Sequence, residues 1–162
     1  SIPFLMDPAR EFAAELLISR ARELASQAAV ELCRRHPDVA QRFAPQPHLK
    51  WTDHLQGRLE DLAAAVQAGR PALFASQTRW SGAAFAARGV PTDDLTRSLH
   101  VLRDVVVRET PDEDRDAVRH CFDAALSGPA HAAEARHIDV STPAGRLAAS
   151  YLLAVLEGDR RQ

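Results

Sequence analysis

Apolar residues recur along this chain at three- and four-residue intervals, the spacing that lines one face of an α-helix. Leu95, Leu99, Leu102, Val105 and Val106 form one such stripe, and Val118, Cys121, Phe122 and Ala125 form another. No segment alternates apolar and polar positions for long enough to predict a strand. Caps and breakers divide the pattern. Asp7-Pro8, Thr110-Pro111 and Thr142-Pro143 each set a capping side chain before a proline suited to the first helical position. Thr110-Pro111-Asp112-Glu113 also fits a capping box. Stops are read at His36-Pro37, Gly69-Arg70-Pro71, Gly89-Val90-Pro91, Gly128-Pro129 and Gly158. The predicted helices run 8–35, 47–68, 71–88, 92–109, 111–127, 130–138 and 143–157, with a short turn or helix near 38–43. The expected fold class is all-α, a bundle of about six to seven helices.

The helix expected at 71–88 carries the most informative face. Around a helical wheel Leu73, Phe74, Trp80, Ser81, Ala84 and Phe85 fall on one broad arc. Arg88 falls inside that arc, and Arg79 falls opposite it, toward solvent. An inward arginine must meet a carboxylate, a phosphate or free carbonyls, because burying it unpaired costs several kcal/mol. Its partner is either another side chain or a ligand anion. On the helix expected at 47–68, Trp51, Leu55, Leu59, Leu62 and Val66 make a core stripe, widened by Ala65. His54 and Arg58 lie on that widened flank, and Asp61, three residues after Arg58, is placed to pair with it. His100 lies off its helix's stripe and is expected in water. The first helix has a seam of Ala14, Leu17, Ala21, Leu24 and Ala28, with Phe12, Leu16 and Val30 on another side. Two apolar stripes serve either one monomer's core or a homodimer through helix 8–35.

The chain has 162 residues, of which 46% are apolar, enough for one domain with a proper core. Its net charge of −2 gives no basic field for nucleic acid or an acidic membrane surface. Its apolar runs are too short to span a bilayer, and no signal peptide is read, so a cytoplasmic location is expected. Met6 is the one methionine, and residues 1–5 read as a remnant ahead of a native start. Cys33 and Cys121 form neither a metal motif nor a disulfide framework, and Cys121 reads as a small buried hydrophobe.

Local signatures of catalysis are absent. The seven glycines make no phosphate loop, and no C-x-x-C, H-x-x-x-H or H-E-x-x-H appears. Asp112, Glu113 and Asp114, like Asp93 and Asp94, sit where a first helical turn favours acids. Trp80-Ser81-Gly82 lacks the leading glycine of a nucleophile elbow. The chain reads as a binding or sensory domain without metal or catalytic residues.

The stretch from His54 to Leu102 contains a tryptophan, a phenylalanine five residues on, then Arg-Gly-Val-Pro and a leucine-rich helix. It resembles the helical N-terminal domain that precedes B12-binding modules in some bacterial light sensors. The end, AASYLLAVLEGDRR from Ala148 to Arg161, looks like the opening helix of the cap of such modules. The B12 loop and Rossmann-like sheet do not follow. The resemblance thus implies a globin-like sensory domain at 7–141 and the start of a cap segment at 142–162, with cobalamin held only in a downstream module. The photocobilins are the nearest family, and likeness to them implies a linear tetrapyrrole, biliverdin, as cofactor. Trp51, Phe74, Trp80 and Phe85 are the expected stacking surface. Arg58 and Arg88 are the expected propionate clamps, and His54 the expected partner of the pyrrole nitrogens. Noncovalent binding is favoured over a thioether to Cys121. Haem, needing His54 as an axial ligand, ranks below bilin. A ligand-free signalling dimer is the alternative.

Overall fold

The computed structural model describes residues 7–127. Seven helices follow one another there: α1 (Pro8–Ser19), α2 (Ala21–Arg35), α3 (Pro37–Arg42), α4 (Pro47–Ala68), α5 (Pro71–Ala87), α6 (Thr92–Glu109) and α7 (Asp112–Leu126). There is no strand among the described residues, and the fold is all-α. The helices expected at 130–138 and 143–157, the cap segment at 142–162 and residues 1–5 lie outside the described residues.

Most boundaries fall where the punctuation puts them. Asp7 caps α1, its side chain accepting from the Ala9 amide at 3.0 Å. Gly69 ends α4 in the left-handed region at φ 62°, a conformation glycine adopts without strain. The Arg10 guanidinium lies over Gly69, so any Cβ there would collide with it. Two expectations are corrected. The helix expected over 8–35 is two helices, broken at Arg20, whose φ of −105° and ψ of 9° leave the helical range. Ser19 there donates from its hydroxyl to the Leu16 carbonyl, a bond that competes with the next turn. Arg20 in turn holds Glu23 at 2.9 Å and Glu109 of α6 at 3.4 Å. Thr110 does not cap α7. Its hydroxyl donates back to the Val106 carbonyl at 2.6 Å, closing α6, and Pro111 occupies the cap position instead.

The break at Arg20 lets one stretch of chain cover two sides of α4, with α1 on one flank and α2 packed between α4 and α6. Leu17, Leu24 and Ala28 of the seam are buried there, along with Ala14 and Ala21. The seam is therefore used inside the monomer. Phe12 and Val30, from the other stripe, stay exposed. At the centre lie Trp51, Leu55, Leu59 and Leu62 of α4 with Leu99, Leu102 and Val106 of α6. Cys121 is buried among them, and burial pushes its thiol up to about 11. His100 is exposed.

Helix α3 is only six residues long, too short to persist alone. It is held by ions. Arg42 grips Asp94 with Nε donating to Oδ2 at 2.7 Å and Nη2 to Oδ1, while the Asp94 side chain is 1% exposed. Asp38 bridges Arg42 at 3.1 Å and Arg97 at 2.8 Å. The first-turn reading of Asp94 thus understates it: the residue is a buried anchor tying α3 to α6. The Arg97 guanidinium beside Asp38 holds that carboxyl down at about 2, below its ordinary 3.8. A depressed folded value contributes stability that is present above 3.8 and lost as the pH falls through about 2. Asp38→Asn is accordingly expected to lower the melting temperature at pH 7, by an amount that shrinks toward pH 2 and vanishes below it, read by circular dichroism.

Candidate functional site

One face of α4 carries Trp51, His54 and Arg58 at spacings of three and four, so they stack along a single side of the helix. Against that face lie Phe43, at the end of α3, and the last turn of α5 with Phe85 and Arg88. These elements enclose a cleft of about 210 Å³. Its walls are aromatic. Trp51 and Phe85 stack at 6.0 Å with 17° between their planes, Phe43 tilts onto Trp51 at 4.7 Å, and His54 meets Phe85 edge-on at 4.7 Å. Gly57 leaves an opening between His54 and Arg58, since a Cβ added there would meet nothing within 4 Å.

The rim is cationic. Arg42, Lys50, Arg58 and Arg88 line it, against Asp53 as the acid among the lining residues. Asp53 is already engaged by Arg22 at 2.6 Å. Arg42 is committed to Asp94, and Arg58 to Asp61 at 2.9 Å, with a longer 3.4 Å contact to the Gln77 carbonyl. Lys50 differs. It reaches the Ala44 carbonyl at 3.4 Å and meets no carboxylate among the described residues. Trp51 is fully buried, and its indole Nε1–H finds no acceptor among the described residues. An orphaned buried donor of this kind costs about 1–3 kcal/mol.

Five of the seven residues singled out in the sequence converge on this cleft: Trp51, His54, Arg58, Phe85 and Arg88. Two do not. Phe74 is fully buried away from it, edge-on to Phe122 of α7 at 5.1 Å. Trp80 is 56% exposed, outside the core. The buried face of α5 runs through Phe74, Thr78, Ser81 and Phe85, and a count of apolar residues gives Thr78 no weight. Thr78 is buried without penalty because its hydroxyl donates to the Ala75 carbonyl at 2.9 Å. With that face fixed, Trp80 turns outward. Arg88 does lie in line with Phe85, but α5 ends one residue earlier, so its head is exposed at the mouth rather than indoors. Arg79, expected in solvent, is half-buried and donates to the Ser76 hydroxyl at 3.2 Å. Arg42, Phe43 and Lys50 were not anticipated. The signal for Arg42 and Phe43 is a short helix between two proline breaks, where no periodicity can develop.

These placements predict a clean contrast. Phe74→Leu should destabilise the domain by about 1 kcal/mol and leave any ligand affinity unchanged. Trp80→Ala should change neither quantity by a measurable amount, read by thermal melts and titration.

No family model, curated protein or solved structure matches the chain. Among the described residues there is no cluster of histidine, cysteine or acidic side chains fit to hold a metal, and no helix long and apolar enough to cross a membrane.

Proposed function

We propose that this domain binds a flat, conjugated, acidic ligand in the cleft between α3, α4 and the end of α5, and that the ligand is a linear tetrapyrrole of the biliverdin type, held noncovalently and not turned over. The observation that carries the reading is the convergence of aromatic walls and a rim of four cations on a single cleft. The partly exposed rings of Phe43 and His54, backed by Phe85 and Trp51, would hold the conjugated face. Lys50 and Arg88 at the mouth would take the propionates, with Arg58 sharing its charge between Asp61 and the ligand. Cys121 lies outside the cleft lining and its burial raises its thiol value, both of which favour noncovalent binding.

The enclosed volume sets how such a ligand sits. At about 210 Å³ it falls below the roughly 300 Å³ where pockets for drug-sized ligands begin. One end of the pigment therefore enters the cleft, and the remaining rings lie along the mouth beside Val90 and Lys50. Light-driven isomerisation of the seated end would press on Phe43 and the last turn of α5. The resulting shift in packing would pass to a B12-binding or other output module downstream. Adding biliverdin to the purified chain tests the proposal: a saturable, one-to-one change in the pigment's absorption supports it, and a spectrum identical to free pigment at every ratio refutes it.

A further inference from the structure

Beside the C-terminal half of α4, beyond the cleft along the helix, α1 and α4 leave a shallow groove between them. The Arg10 contact over Gly69 sets the start of α1 beside the end of α4, so the two helices run antiparallel along it. The floor is small and apolar, made by Ala14 of α1 with Ala63 and Ala64 of α4. Ile18, 52% exposed, forms one edge, and Phe12 stands exposed on the same helix. The rim is acidic, with Glu11, Glu15 and Glu60 lining it. None of these three carboxylates makes an ion pair among the described residues, although arginines across the rest of the fold are paired repeatedly.

We infer that this groove is the docking site for a basic amphipathic helix on a partner protein. Alanines on the floor allow a helix axis to approach at the short end of the usual 8–10 Å range. From Glu11 to Ser19 the groove extends about 12 Å at 1.5 Å per residue, or roughly two turns of an incoming helix. Such a helix would set a stripe of small and apolar residues on the alanines, with lysines or arginines facing Glu11, Glu15 and Glu60. Complementary charge would speed its encounter and fix its register. A second copy of this chain does not satisfy the site. A two-fold pairing through the groove would bring the same three glutamates face to face with their symmetry mates.

The probe is a labelled peptide helix of leucine, alanine and lysine, titrated into the full chain and followed by fluorescence anisotropy. Wild type is expected to bind saturably, with affinity falling as salt rises. Glu15→Lys with Glu60→Lys is expected to weaken binding at least tenfold. Ala64→Glu separates docking from simple charge attraction, because it adds a negative charge while filling the floor. Position 64 is exposed, so the fold should tolerate it. Docking predicts weaker binding by Ala64→Glu, with an unchanged melting curve. Equal or tighter binding by that variant would overturn the inference, as would a wild-type dimer that Ala64→Glu dissociates.

Discussion

Gly57→Leu is expected to abolish biliverdin binding while leaving the domain folded. Position 57 is a helical glycine on the lining of the cleft, and a Cβ there points into open space. A leucine side chain would occupy the gap between His54 and Arg58 and displace the seated ring. Removing a glycine from a helix interior also stabilises it by about 0.5–1 kcal/mol. Loss of ligand should thus come with an equal or higher melting temperature, a combination general destabilisation cannot produce. Gly57→Ala provides the graded control, with the same gain in stability and weaker but measurable binding. A leucine variant that binds as wild type does would place the ligand elsewhere on the surface.

The largest expected loss of stability follows from the ion pair that Arg42, on the rim of the cleft, makes with Asp94. Arg42→Ala removes both bonds to Asp94 and leaves a carboxylate that is 1% exposed with no cation at its side. Stranding a buried charge in this way costs about 3–5 kcal/mol. The lower end is expected, since Arg42 is itself 38% exposed and water can enter where it stood. For a domain of this size about 3 kcal/mol lowers the melting temperature by on the order of 10 °C. The complementary variant behaves differently. Asp94→Asn leaves Arg42 able to turn toward solvent or toward the cleft, so a smaller loss of stability and a tighter grip on an acidic ligand are expected. Equal melting temperatures for the two variants would show that the pair does not anchor α3.

What could be read from the sequence, and what could not, follows from the range of each interaction. Helix class and most ends are local properties. The left-handed turn at Gly69, the cap at Asp7 and the leucine stripe of α6 are each set by residues within a turn or two. His54 and Arg58 were legible as a pair because a single helix fixes their common face. The pairing of Arg58 with Asp61 was legible for the same reason. The failures are of longer reach. The break at Arg20 lets α1 and α2 find separate places against α4, and Arg20 itself also pairs with Glu109, far along the chain. The anchoring of Arg42 by Asp94 joins residues 52 positions apart, and no spacing rule connects them. Hydrophobicity alone turns Trp80 inward, whereas the structure turns it out. The buried hydroxyl of Thr78, satisfied within its own turn, decided the face instead. Lys50 gained its place in the cleft only through the fold of α3 against α4, which no local pattern shows.

The central claim is that cations at the mouth of an aromatic cleft select an acidic ligand. It is tested most directly by titrating the chain with biliverdin and, separately, with its dimethyl ester, which keeps the conjugated face and removes both negative charges. The free acid is predicted to bind at least tenfold more tightly, a gap of about 1.4 kcal/mol or more. Lys50→Ala combined with Arg88→Ala should bring the two affinities together. Equal binding of acid and ester by the wild-type chain would contradict the account.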